Sequence, residues 1–180
     1  MRNKAHWDEF VLPKVLGGFS PRLQEDMKKI PYELTKIPAF GSYYIYGGVG
    51  SGKTLLAAHM YVQARFKQFI EVLPGKFLFI NTYEFYKELK QAFQENTDDY
   101  IVLEKFSMAT YLVLDDIGAT TFTDWQISMM QQLINYRYEN MLPTIFTSNL
   151  NLDELGAAMG DKRIPSRITR MCEILKKVGK

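Results

Sequence analysis

Short apolar runs and amphipathic stretches alternate along most of this chain. Residues 42–46 form a β-prone run closed by glycines. Residues 77–80 and 111–114 form two more, the latter running into a pair of aspartates. Residues 143–147 make a fourth run and 172–175 a fifth. Helical spacings fall between them. Leu55, His59, Val62, Phe66 and Phe69 recur at three- and four-residue steps, which predicts a helix over 54–69 with those side chains on one face. A second helix is predicted over 83–94. Thr123 with Gln126 three residues later is a capping-box start, and Ile127, Met130, Ile134 and Tyr138 then share a face. Short helices are predicted over 152–159 and about 163–170. Strand-sized runs alternating with helices specify βα units, hence an α/β fold whose parallel sheet is covered on both faces. Such sheets bind ligands at the carboxyl ends of their strands.

Residues 1–35 do not follow this rhythm. They carry Pro13, Gly17, Gly18, Pro21 and Pro31 and read as an irregular or short-helical leader ahead of a core over 36–180. Trp7, Phe10, Val11 and Leu12 either pack on that core or dock a partner. At 180 residues the chain has the length of one domain, and 47% hydrophobic content excludes disorder or a coiled coil as descriptions of the whole. The net charge of +2 demands no nucleic-acid partner. Residues 161–180 are nevertheless basic: Lys162, Arg163, Arg167, Arg170, Lys176, Lys177 and Lys180 stand against Asp161 and Glu173, a phosphate-facing or a solvated surface. The single cysteine, Cys172, excludes an intramolecular disulfide, and its apolar setting predicts an inert thiol. No run is long enough to span a bilayer, so a cytoplasmic protein without a membrane partner is expected.

The chemistry concentrates at the ends of the predicted strands. Gly47-Gly48-Val49-Gly50-Ser51-Gly52-Lys53-Thr54 fits the phosphate-loop pattern and lies between a predicted strand and a predicted helix, the context that pattern requires. Glycines let backbone N–H groups turn inward onto phosphate oxygens at a helix start. Lys53 is placed for the β- and γ-phosphates, and the Thr54 hydroxyl for Mg²⁺. Asp115, at the end of the third run, suits Mg²⁺, directly or through water. Asp116 is placed to orient or deprotonate an attacking water. Thr147-Ser148-Asn149 ends the fourth run, where a polar side chain could reach the γ-phosphate or the lytic water. Arg137 is either a solvated helix residue with a glutamate partner or an interface arginine.

These segments, in this order and spacing, resemble the DnaC/DnaI helicase-loader and IstB transposition-helper group of AAA+ ATPases. The resemblance covers about residues 40–175. It rests on the phosphate loop together with Leu114-Asp-Asp-Ile-Gly118, Ile134-Asn-Tyr-Arg-Tyr-Glu-Asn140, Leu142-Pro-Thr-Ile-Phe-Thr-Ser-Asn149 and Gly160-Asp-Lys-Arg-Ile-Pro-Ser-Arg167. It implies a three-layer P-loop NTPase core with a five-stranded parallel sheet, with ATP and Mg²⁺ as ligands. It implies Lys53 and Thr54 as Walker A residues, Asp115 and Asp116 as Walker B, Asn149 as sensor 1, and Arg167 as an arginine finger acting on a neighbouring subunit. It also implies slow, assembly-dependent ATP hydrolysis by a homo-oligomer that works with single-stranded DNA, for which Lys87 and Lys90 on the second predicted helix are candidate contacts, and with a DnaB-type replicative helicase. A transposition helper, a packaging motor and a nucleotide-switched binding module with little turnover are the alternatives. Many AAA+ proteins carry glutamate where Asp116 stands, which favours slow hydrolysis. The short leader and the expected lack of a helical lid and of a sensor 2 arginine suit a phage or mobile-element protein.

Overall fold

The structure is a computed structural model that describes residues 4–29, 38, 40–94, 99–118 and 122–178; Pro31 and Lys180 lie outside these. The strands are β1 (Tyr43–Tyr46), β2 (Phe77–Asn81), β3 (Tyr111–Ile117), β4 (Thr144–Ser148) and β5 (Glu173–Lys176). They form one parallel sheet in the order β2-β3-β4-β1-β5. The helices are α1 (Lys4–His6), α2 (Leu12–Leu16), α3 (Pro21–Lys29), α4 (Lys53–Glu71), α5 (Thr82–Gln94), α6 (Asp99–Ser107), α7 (Asp124–Glu139), α8 (Leu152–Met159) and α9 (Arg163–Met171), with a π-helical turn over Trp7–Val11 joining α1 to α2. Among the described residues no helix is long and apolar enough to cross a membrane.

The two-residue period of the strands sorts the core into two layers. Tyr43, Ile45, Tyr111, Val113 and Ile145 pack toward α4. Tyr44, Leu112, Leu114 and Phe146 pack on the opposite face, against Phe85 and Leu89 of α5, Phe106 of α6, Leu133 and Ile134 of α7, Leu155 of α8 and Ile168 of α9. Thr123 and Gln126 form the expected reciprocal cap at the start of α7. Helix α6 has no counterpart among the predicted elements.

All six residues from Ala57 to Val62 are buried, which a single sheet-facing stripe cannot account for. The leader supplies the missing cover. The Trp7 ring lies edge-on to Phe66 at 5.3 Å and beside Phe69 at 5.6 Å, and Phe19 meets Phe79 at 4.9 Å and Tyr61 at 5.9 Å. Trp7 is fully buried, Val11 and Leu12 are partly buried on the same cluster, and Phe10 stays exposed. Cys172 packs half-buried against the other face, and burial pushes its thiol up to about 12.

Arg137 corrects both expectations held for it. It is neither solvated nor at a surface available to another subunit: its exposure is 0%. Its NH1 donates to the carbonyls of Phe106, Ser107 and Ala109 at 3.0, 3.1 and 2.7 Å, its NH2 to Pro143 O at 2.8 Å, and its Nε to Thr144 Oγ1 at 2.8 Å. Burial pulls the guanidinium below its usual range, but the oxygens of the α6 end favour a cation there. The side chain thereby ties the turn entering β3 to the turn entering β4.

Arg137→Leu leaves those oxygens without their donors in a dry site. We expect it to lower unfolding free energy by about 3–5 kcal/mol, measured in urea, with Arg137→Lys falling in between because one ammonium cannot reach all five acceptors. A loss within 0.5 kcal/mol, the usual range for surface substitutions, would count against the buried clip.

Candidate nucleotide site

The carboxyl ends of β1, β3 and β4 meet at one edge of the sheet. The glycine-rich turn leaves β1 at Gly47, whose N–H donates to Ser148 O at 3.2 Å, and enters α4 through Gly52 at φ +84°. Gly47 is forced by a close approach. A Cβ there would sit 2.0 Å from the carbonyl oxygen of Lys177, whose own N–H donates to Tyr46 O at 2.7 Å. The β5 edge therefore presses directly on the start of the turn.

Lys53, buried at the head of α4, donates to Gly47 O and Gly48 O at 2.9 Å each and to Asn149 Oδ1 at 2.8 Å. Burial pulls its amine below the usual lysine range, and the charges of Asp116 and Asp115 oppose that shift. The Thr54 hydroxyl donates to Asp115 Oδ1 at 2.9 Å. Thr147 Oγ1 donates to the same oxygen at 2.6 Å and accepts from Asp116 N at 2.8 Å, while Thr82 Oγ1 donates to Asp115 O at 2.9 Å. Desolvation raises the Asp115 carboxyl above its usual range, and the two threonine hydroxyls pull it back. Between Leu114 and Ile117 the β3–β4 register shifts, and within this irregularity Asp116 takes φ +63°, a left-handed conformation uncommon outside glycine.

Five predicted site residues, Lys53, Thr54, Asp115, Asp116 and Asn149, thus come together with the loop from Gly47 to Gly52. Arg167 does not join them: it is half-buried on α9, its Nε without a partner among the described residues, while its neighbour Arg163 is committed to Asp161 at 2.7 Å. Sequence reasoning named the segment Thr147-Ser148-Asn149 but not the bonds of Thr147 to Asp115 and Asp116, and it missed Thr82. Thr147 had a readable signal. Val113 pairs with Ile145, so two residues on, Asp115 and Thr147 are next on the same face.

The residues fit a nucleotide triphosphate with its cation. Ser51 Oγ is buried without a hydrogen-bond partner inside the turn. A Cβ on Gly48, Gly50 or Gly52 would meet nothing within 4 Å, so no described residue packs against the turn at these three positions. The Thr54 hydroxyl and Asp115 carboxylate are the hard oxygen donors Mg²⁺ takes alongside waters and phosphate. Bound there, the cation would neutralise phosphate charge. Lys53 would exchange its carbonyl partners for phosphate oxygens, and Asp116 and Asn149 stand where a water would be oriented.

Strand, glycine turn, helix and acidic strand end, arranged in this sheet order, define a P-loop domain of the AAA+ type. Residues 42–179 match the family described as IstB-like ATP binding protein. The chain belongs to that family. Among curated relatives it is 33% identical over 116 residues to the replicative helicase loader DnaI of Bacillus subtilis (strain 168), covering 62% of this chain and 34% of DnaI. It is 27% identical over 150 residues to the phage-like element PBSX protein XkdC of the same organism, covering 78% of this chain and 51% of XkdC. The chain therefore spans a third to a half of these relatives. In fold it is similar to the crystal structure of the DnaC helicase loader, with a TM-score of 0.65 at 24% identity over 98% of this chain and 100% of that one.

Two substitutions probe the site. Lys53→Ala is expected to weaken ATP binding roughly 10- to 150-fold in a titration with labelled nucleotide, since charge-assisted contacts are worth about 1.5–3 kcal/mol. Unchanged affinity would remove the phosphate loop from consideration. Thr147→Val keeps the volume but strands the Asp116 N–H and leaves Asp115 Oδ1 with the Thr54 hydroxyl alone. It should lower thermal stability by about 1–3 kcal/mol, with Thr147→Ser restoring most of it.

Proposed function

We propose that this protein is an ATP-hydrolysing replication accessory factor that loads a DnaB-type helicase in the presence of single-stranded DNA. One observation carries the DNA part of this reading. Asp115 and Asp116 line not only the nucleotide site but also a cavity of about 710 Å³ that opens toward α5. Tyr83, Lys87, Lys90 and Phe122 line the same cavity, and Tyr83 is 73% exposed. Aromatic rings beside lysines suit stacked bases and backbone phosphate. A strand held there would lie against the carboxylates that act on ATP. The DnaI relative, a replicative helicase loader, supports the helicase part. With a net charge of +2, binding by one subunit should be weak and salt-sensitive.

In this reading hydrolysis is completed between subunits. Arg167 does not reach its own Lys53–Asp115 cluster, and a guanidinium supplied by the next copy would stabilise charge developing on the γ-phosphate, an effect worth about 10³–10⁵ in rate. The shorter carboxylate at Asp116 favours a second reading, in which ATP acts mainly as a switch with little turnover. An IstB-like transposition helper shares all of this chemistry and differs in partner.

Mixing separates these cases. Arg167→Ala and Lys53→Ala proteins, each inactive alone, should recover part of the ATPase rate when combined, because one interface then joins an intact site to an intact arginine. Oligo(dT) should raise that rate, and Lys87→Ala with Lys90→Ala should abolish the increase. A mixture that stays inactive while both variants assemble would sink the shared site. Wild-type protein that binds ATP without measurable turnover, with or without oligo(dT), would establish the switch. Co-purification with a transposase rather than a hexameric helicase from the native host would establish the transposition helper.

A further inference from the structure

On the α4 face of the sheet, away from α5, a groove of about 400 Å³ runs between the leader and α4. Its floor is apolar, from Val11, Tyr61 and Phe77, and Phe10, 51% exposed, stands at its edge. Phe10 and Val11 belong to the π-helical turn, a rare form that is frequent at functional sites. Two cations border the groove. Lys14 is exposed and makes no ion pair among the described residues. Arg65 lies with its guanidinium 5.8 Å from the centre of the Phe77 ring; its Nη1 donates to Gln68 Oε1 at 3.0 Å, while its Nε is buried without a partner among the described residues. Neither Asp8, held by Lys4 at 2.9 Å, nor Glu9 lines the groove.

We propose that this groove docks a short acidic segment of a partner protein, with an aliphatic or aromatic side chain between the Val11–Tyr61 floor and the exposed Phe10 and a carboxylate on Arg65 and Lys14. Two cations, Lys14 and Arg65, bordering an apolar floor match a carboxylate next to a hydrophobic anchor. Nucleic acid fits less well. Two cations do not make a track for a phosphate backbone, and the rings of the floor are buried rather than presented face-on for stacking. The proposal stands apart from the nucleotide reading, since none of these side chains belongs to the phosphate loop or its acidic partners.

The test is fluorescence anisotropy with the full chain and three labelled probes: a twelve-residue peptide alternating glutamate with leucine and phenylalanine, its lysine counterpart, and oligo(dT) of the same length. The acidic peptide should bind with a dissociation constant on the order of 10–100 μM, as a small transient contact would, and at least tenfold more tightly than the lysine peptide. Lys14→Glu and Phe10→Ser, both at exposed positions that the fold does not need, should each weaken it about fivefold or more. Lys162→Glu, the same charge change at the residue preceding α9, should leave it unaltered. No acidic-peptide binding up to 1 mM, equal binding of both peptides, equal loss in Lys14→Glu and Lys162→Glu, or oligo(dT) binding that Lys14→Glu selectively removes would each overturn the proposal.

Discussion

One hydroxyl group holds the working edge of this sheet in place. Thr147 Oγ1 gives its proton to the Asp115 carboxylate and takes the Asp116 N–H in return. Those two bonds pin β3 to β4 where their regular register breaks, so that Asp115 points at Thr54 while the backbone of Asp116 turns into a left-handed conformation. A regular strand would send consecutive side chains to opposite faces. The irregularity is what lets both carboxylates stand at the same site. At the other end of the same two strands, Arg137 joins the carbonyls that precede β3 to those that precede β4. The pair is therefore clamped twice: by a charge spread over neutral oxygens where the strands begin, and by a hydroxyl where they finish.

Much of this architecture is legible in the sequence, because its periods are unambiguous. Strands at 43–46, 77–81, 111–117 and 144–148 lie within a residue or three of the apolar runs, and the phosphate loop is a contiguous pattern. What escaped notice was interaction without a sequence signature. Arg137 looks like any charged residue on an amphipathic helix, since its partners are main-chain carbonyls that every residue possesses. Helix α6 buries Leu103 and Phe106, too few positions to establish a period. The stripe on α4 is real, but Phe66 and Phe69 in it face Trp7 of the leader, and no one-dimensional pattern says which surface a stripe meets.

The electrostatics of the nucleotide edge follow from the same compactness. Lys53 and Asp115 are both buried, and burial disfavours charge on each, but each lies in the field of the other. The lysine spends its protons on two loop carbonyls and Asn149, and the carboxylate its lone pairs on two threonines. A triphosphate with its cation would replace both sets of partners at once and would meet charged groups already held in place.

The corner between α2 and α3 has a different significance. Gly18 and Phe19 share a cavity of about 270 Å³ with Thr54 and Asp115, and Phe19 covers the rings of Tyr61 and Phe79. The leader is therefore a wall of the domain and not a detachable arm. A fragment trimmed to the region of family similarity would bare four aromatic rings, Tyr61, Phe66, Phe69 and Phe79, in one patch, and patches of that kind drive self-association. Its insolubility would be mistaken for a missing partner, although every atom of the phosphate loop would still be present.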